Sequence, residues 1–176
     1  MSAATTDAAR GEERGELLRE ATTMVLYVSV VEIAELASLP ESRLAHGVTT
    51  GPVGGQLLEI VWGTAVGLAL AHWFAFRIAA HAFRGERPTV LDTQIGFAQV
   101  GAAMFVAALC SLPALVFSNT MARETTGDAA ALLVGVVGYI LARHTGASRL
   151  ASVVLGITAL ALGVLVALVK SLLAAH

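Results

Sequence analysis

Two carboxylic acids, Glu32 and Glu35, lie inside the first long apolar segment of the chain, residues 21–39 (ATTMVLYVSVVEIAELASL). In a helix, residues three apart fall on nearly the same face, and Ser29 extends this polar stripe by one turn. Glu32 comes about eleven residues into the segment, close to the midplane of a bilayer crossed at about 1.5 Å per residue. Intramembrane acids cost at least about 2.5 kcal/mol on insertion scales and usually mark ion or proton pathways. The pair predicts a proton or cation site, with hydrogen bonding between packed helices as the structural alternative.

The second apolar segment, residues 56–84, carries Glu59 and His72. Counted along their segments, His72 and Glu32 fall at similar depths. We therefore expect a proton-transfer pair, because imidazole titrates near neutrality. A histidine beside Trp73 is also typical of a packing residue. Glu59 lies near the outer interface and roughly 220° around the helix from His72. We expect Glu59 at the entry of the pathway and not in one cage with His72.

A basic cluster ends the second segment. Arg77, His81 and Arg84 follow at steps of four and three residues, which places them on one helix face. Long basic side chains near a membrane interface extend their charged ends toward lipid headgroups. We interpret the three residues as lipid-headgroup anchors, with a substrate-binding role as the alternative.

Small residues form a ridge on the same segment. Gly63, Gly67 and Ala71 recur every fourth residue, and Ala75 and Ala79 continue the series. Such a ridge lets another helix approach closely, either from the same chain or from a second copy. Because five helices make a thin bundle, we expect a homo-oligomer. Further close contacts are expected at Gly135 and Gly138 in the fourth segment and at Gly156 and Gly163 in the fifth.

These residues have to be positioned by membrane helices. The chain of 176 residues is 56% hydrophobic and 14% charged, against roughly 25% charged residues in soluble domains. We predict an all-α integral membrane protein with a polar cytoplasmic tail at 1–20 and a transmembrane domain at 21–176. The expected spans are 21–39, 56–84, 94–117, 128–143 and 150–169. The apolar part of the fourth, 129–142, is short enough for a re-entrant segment, which would leave four crossings.

The distribution of arginine predicts the orientation. With the N-terminus inside, seven arginines fall in inner segments, whereas two arginines and Lys170 fall in outer ones. Basic residues concentrate in cytoplasmic segments, so we expect a cytoplasmic N-terminus and an extracytoplasmic C-terminus. Ten arginines against one lysine are typical of GC-rich bacterial coding, which points to a bacterial cell membrane.

Several functions are disfavoured by composition and motifs. A net charge of −2 argues against nucleic-acid binding, which needs a basic face. The single cysteine, Cys110, can build neither a disulfide framework nor a thiolate metal site, and we expect it to fill space at a helix contact. We find no P-loop, dinucleotide fingerprint, zinc motif or nucleophile–base pair, so no metal, cofactor or enzymatic activity is expected.

The sequence leads to a transporter or channel for a small cation, most simply H⁺ or a proton-coupled ion, that assembles as a homo-oligomer in the lipid bilayer. The alternative is a non-transporting scaffold or sensor subunit that assembles through its small-residue helix contacts.

Overall fold

The computed structural model describes residues 3–39, 42–43, 49–50, 52, 54–84, 89–117 and 120–174. It contains five long helices and one short antiparallel strand pair, in which Ser42 pairs with Thr50 and Arg43 with Thr49. Each helix holds a stretch long and apolar enough to cross a membrane. The expected all-helical membrane bundle is confirmed at this level. The elements are α1 Ala3–Ser38, β1 Ser42–Arg43, β2 Thr49–Thr50, α2 Gly55–Arg84, α3 Val90–Val116, α4 Thr120–His144 and α5 Arg149–Ala174.

Local signals fix several helix ends. Thr89 caps α3 with a capping box: its hydroxyl accepts the Asp92 N–H, and the Asp92 carboxylate accepts the Thr89 N–H. At the end of α4, Gly146 has a φ of +81°. The Gly146 N–H donates to the Arg143 carbonyl, and the Ala147 N–H donates to the Ala142 carbonyl. This Schellman arrangement needs a left-handed residue, which glycine adopts without strain. It turns the chain directly into α5.

The fourth helix is longer than expected. Residues 120–127, which precede the span expected at 128–143, are helical, so α4 has 25 residues. Its stretch Met121–His144 is long and apolar enough to cross a membrane. The physical reason is amphipathicity: Ala122, Thr126 and Ala130 are buried at four-residue spacing, while charged side chains occupy other faces.

The first helix lies at the centre of the bundle. It packs against α3, α4 and α5, whereas α2 packs mainly against α3 at the periphery. The polar segment expected as a tail is helical from Ala3 and continuous with the first span. With 36 residues, α1 is about 54 Å long, well beyond a hydrocarbon core of about 30 Å.

Contacts between the helices define two ends of the bundle. Ile33 lies next to Gly163 of α5, and Glu20 next to Gln99 of α3, so α1, α3 and α5 run in the same direction. The Trp62–Ser111 hydrogen bond and the Trp73–Gly96 contact show that α2 runs antiparallel to α3. The helices α1, α3 and α5 all end at the same side of the bundle, which we call the Glu32 end. We call the opposite side the Gln99 end.

The core is arranged in layers, one helical turn apart. Nearest the Glu32 end, Leu36, Leu57, Ala114 and Ala122 pack together as one buried cluster. Further in, a second apolar cluster contains a layer of fully buried side chains from four helices, and the next layer follows at steps of three or four residues. Their members are Val28, Ala65, Val106 and Ala130, followed by Met24, Ala69, Ala103 and Val134.

Candidate functional site

A polar layer lies between the two apolar clusters. One turn inward from Leu36, Ala114 and Ala122, the same helix faces carry Glu32, Cys110 and Thr126. All three side chains are buried, and the Cys110 thiol is close enough for the Glu32 carboxyl to act on it electrostatically. Val61 is the corresponding buried residue of α2. We call Glu32, Cys110 and Thr126 the polar layer.

Glu32 is the most unusual member of this layer. Its side chain is 0% exposed, and neither carboxylate oxygen has a hydrogen-bond partner within the described part of the chain. Glu35, one turn away, is only partly buried and acts electrostatically on Glu32. A buried ionised carboxylate without a partner is strongly unfavourable, so its charge has to be compensated by a proton or a cation. The carboxylate of Glu32 therefore lies inside the core, one turn from the apolar cluster of Leu36 at the end of the bundle.

Thr126 is the second unsatisfied group. Its side chain is 0% exposed, and its hydroxyl has no partner among the residues that the structure describes. The hydroxyl of Thr125 donates instead to the Met121 carbonyl one turn earlier, the usual bond of a helical threonine. Hydroxyls that bond the same way are those of Thr22, Thr23, Ser29, Ser111, Ser152 and Thr158. Thr126 thus presents a buried oxygen that its own helix does not use.

A hydrogen bond between α2 and α3 flanks the polar layer. The Trp62 indole N–H donates to the Ser111 hydroxyl over 2.9 Å, and that hydroxyl donates to the Ala107 carbonyl. Ser111 is thereby satisfied, unlike its neighbours in the layer. The bond holds α2 at the level of Val61 and completes the fourth side of the layer.

A charged cavity of about 320 Å³ opens beside this layer. Arg123, Glu124 and Asp128 of α4 contribute its charged walls, and Gly127 lies between them. Ile33 and Leu36 of α1, which flank Glu32 in sequence, line the cavity, whereas Glu32 itself does not. The cavity therefore reaches the α1–α4 boundary next to the site but is separated from the carboxylate. Its remaining lining residues are Ala37, Ala131, Val164 and Leu168.

Toward the Gln99 end, the polar layer is closed by the two apolar layers of Val28 and Met24. Beyond them lies a second, partly buried polar contact, in which the Gln99 amide donates to the Glu20 carboxylate over 3.1 Å. The other amide atom of Gln99, Oε1, has no partner in the described ranges. Glu32 and Glu20 are separated by about 18 Å along α1, at about 1.5 Å per residue. The site is therefore nearer to the charged cavity than to the Gln99 end.

The structure does not bring His72 to Glu32. Trp73, the neighbour of His72, contacts Gly96, whereas Glu32 lies level with Cys110. From Gly96 to Cys110 the axis of α3 rises about 21 Å. The expected equality of depth is wrong because α2 begins beside the end of α1, which places Val61 level with Glu32. Glu59 also lies apart from the layer, exposed on the outer side of α2 near the Glu32 end.

The basic cluster of α2 is exposed near the Gln99 end. Arg77 and His81 are exposed, while the side chain of Arg84 lies outside the described residues. The Arg77 guanidinium lies 5.5 Å from the centre of the Trp73 ring, within the range of a cation–π contact. The Trp73 indole lies against Gly96, where an added Cβ would be 2.8 Å away. The sequence indicated the basic face but not this aromatic support.

The glycines fall into two groups. The ridge of Gly63, Gly67 and Ala71 is exposed, and a Cβ added at Gly63 or Gly67 would meet nothing within 4 Å among the described atoms. The glycines of α4 and α5, in contrast, form the expected close contacts. A Cβ at Gly156 would lie 2.8 Å from the Gly135 carbonyl oxygen, and one at Gly138 would lie 3.0 Å from the Ala159 Cβ. Among the described residues, the α2 ridge therefore contacts no other helix of the chain at Gly63 and Gly67, whereas Gly138 and Gly156 lie where α4 and α5 pack closely.

The polar layer brings together groups that can bind a proton or a cation. The polar layer offers two carboxylate oxygens and a hydroxyl, and within the described residues no group of three His, Cys, Asp or Glu side chains could hold a metal ion.

No protein-family model, no curated protein and no solved structure matches this chain.

Proposed function

We propose that this protein is a membrane transporter or channel for H⁺ or another small cation, and that Glu32 is its central binding group. The observation that carries the proposal is the complete burial of the Glu32 carboxylate without a partner in the described structure. A side chain in that position can bind and release a positive charge, whereas a purely structural acid would be expected to have a hydrogen-bond donor.

The surroundings of Glu32 support an occluded site. Apolar layers lie above and below it, so an ion held there is separated from both ends of the bundle. The charged cavity lies on one side, and its wall contains two acidic side chains, Glu124 and Asp128, and one basic side chain, Arg123, which leaves one net negative charge. Acidic walls raise the local concentration of cations. Release of the ion toward the Gln99 end would require the apolar layers that contain Val28 and Met24 to separate.

The roles of the other predicted residues follow from their positions. Glu35 stays close enough to influence Glu32 and belongs to the proposed site. Glu59 and His72 lie outside the polar layer, so we assign neither to the central site. Arg77 and His81 are proposed to anchor α2 at the lipid headgroups. With a cytoplasmic N-terminus, as the arginine distribution predicts, the charged cavity would face the outside.

Flux through proteoliposomes tests this function. Purified protein would be reconstituted with a trapped pH-sensitive dye, and proton flux would be followed after a potential is applied. We expect flux for the native chain, loss of at least about 90% in Glu32→Gln because a neutral amide cannot carry the charge, and native flux in Glu13→Gln. Glu13 is the matched control because it is exposed on the polar part of α1. Undiminished flux in folded Glu32→Gln would refute the assignment.

The second candidate is a non-transporting scaffold or sensor subunit. The specific observation in its favour is the exposed α2 ridge, where Gly63 and Gly67 leave space for a helix of another chain. A second copy of this chain is the simplest partner, which would make a homo-oligomer. Two results together would favour this function. Folded native protein would show no flux, and chemical cross-linking would detect an oligomer for the native chain but not for Gly67→Leu.

A further inference from the structure

We propose that Thr126 and Glu32 together bind a dehydrated monovalent metal cation of the size of Na⁺. This inference rests on the proposed transport function and specifies the ligand of the same site. It adds a specificity-determining residue, Thr126, on which the transport proposal itself does not depend.

The geometry places the two side chains in one layer. Leu36 and Ala122 pack in the same buried cluster at the Glu32 end. Since α1 finishes at that end and α4 begins there, one turn inward leads from Leu36 to Glu32 and from Ala122 to Thr126. Both side chains are 0% exposed. The layer thus gathers buried oxygen atoms from two antiparallel helices that are far apart in the sequence.

The unsatisfied atoms are all able to act as cation ligands. The two Glu32 oxygens and the Thr126 hydroxyl oxygen have no partner among the described residues. A proton would occupy one carboxylate oxygen and leave the others to be satisfied separately. A small cation contacts several oxygens at once, and carboxylate and hydroxyl oxygens are ligands that hard cations accept. Water or main-chain carbonyls have to complete the coordination.

The charge of the layer selects a monovalent ion. Within the polar layer Glu32 supplies one negative charge, Thr126 is neutral, and Cys110 is a poor ligand for a hard ion unless it ionises. Glu35, one turn away, acts on Glu32 but is only partly buried, so its charge is not one that the buried ion has to neutralise. A monovalent cation would make the buried pair neutral, whereas a divalent cation would leave an uncompensated positive charge in an apolar core. The described residues also lack the cluster of acids or histidines that a divalent site requires.

Thermal unfolding of the full chain in detergent tests the inference. The midpoint would be measured in choline chloride and in NaCl, LiCl and KCl at one ionic strength, since a ligand that binds the folded state raises the midpoint. The variants are Thr126→Val, which removes the hydroxyl at nearly constant shape, and Thr126→Ser, which keeps it. Thr125→Val is the matched control, because the Thr125 hydroxyl is bound to its own helix.

We expect Na⁺ to raise the midpoint of the native chain, of Thr125→Val and of Thr126→Ser. The effect of Na⁺ should vanish in Glu32→Gln. Because Thr126→Val loses one ion–oxygen contact, it should need at least about tenfold more Na⁺ for the same shift of the midpoint. Equal Na⁺ sensitivity of native chain and Thr126→Val would overturn the role of Thr126. A Thr126→Val chain that fails to fold would leave the decision to Thr126→Ser, whose loss of the Na⁺ effect would also overturn it.

Two outcomes separate this inference from the transport function. If Na⁺ leaves the native midpoint unchanged while Glu32→Gln abolishes proton flux in Na⁺-free liposomes, the cation inference is overturned and the transport proposal stands. If neither an Na⁺ effect nor flux is found for folded protein, both are overturned.

Discussion

At the scale of single residues, Glu32 combines complete burial with the absence of a hydrogen-bond donor in the described structure. Its immediate helix neighbours Val28 and Leu36 are buried and apolar, so the backbone position suits a hydrophobic side chain. A carboxylate there reduces the stability of the empty protein. Ionisable residues inside membrane helices are rare for this reason and usually mark functional sites.

This reasoning predicts that Glu32→Met stabilises the ion-free protein. Met has a similar length and no charge to bury, and replacing buried ionic groups by apolar ones can add about 1–4 kcal/mol to the free energy of unfolding. The measurement is denaturant unfolding in detergent in choline chloride. Glu13→Met, at an exposed position, should change stability by less than about 0.5 kcal/mol. A less stable Glu32→Met would show that Glu32 has a structural partner.

At the scale of elements, the α4–α5 pair shows how glycine sets the distance between helices. The turn at Gly146 reverses the chain, and Gly135, Gly138 and Gly156 then let the two backbones approach. Small residues at such positions are the usual means of packing membrane helices. The pair also fixes α4 against α1, and so the position of Thr126 relative to Glu32.

The corresponding prediction concerns Gly156→Ala. The added Cβ would meet the Gly135 carbonyl oxygen, a main-chain atom that cannot rotate away, so the helices must separate. We expect a loss of about 1–3 kcal/mol in the free energy of unfolding, measured in detergent with denaturant. Gly101→Ala is the matched control, since a Cβ there meets nothing within 4 Å and alanine favours a helix by up to about 1 kcal/mol. Equal effects of the two changes would contradict the close contact.

At the scale of the whole molecule, the bundle is built around α1 and is asymmetric from end to end. Apolar layers lie on both sides of Glu32 along the bundle, and the charged cavity lies near it on the side of the Glu32 end, between α1 and α4. The outer surface carries many exposed large apolar side chains, which suits a lipid environment. If all five candidate spans cross the membrane, we predict that the two ends of the described chain lie on opposite sides of it.

Reporter fusions in bacterial cells check that arrangement. We expect alkaline phosphatase fused after Ala174 to be active, because it would lie outside, and the same enzyme fused after Thr145 to be inactive in the cytoplasm. A green fluorescent reporter at the same two positions should give the reverse pattern. Phosphatase inactivity after Ala174 together with activity after Thr145 would invert the orientation. Equal activity at both positions would remove α5 as a crossing.

The sequence alone determined the class of the protein, since long apolar segments interrupted by polar turns leave few structures other than membrane helices. It also identified Glu32, because an acid within an apolar segment is visible without coordinates. It could not find Thr126, which lies in a polar segment that the sequence assigned to a loop. The structure shows that this segment is helical and that Thr126 lies on its buried face with Ala122 and Ala130.

Tertiary structure also decided which residues meet. Counting along separate segments placed His72 level with Glu32, but the register between helices depends on the contacts of Trp62, Ser111, Trp73 and Gly96. Those contacts set the position of α2 along the bundle, so that Val61 and not His72 lies level with Glu32. Similarly, the sequence gives equal weight to the glycines of α2 and those of α4 and α5. Spatial neighbours alone distinguish a glycine that holds two helices together from one that faces outward, because periodicity along one helix carries no information about its partner.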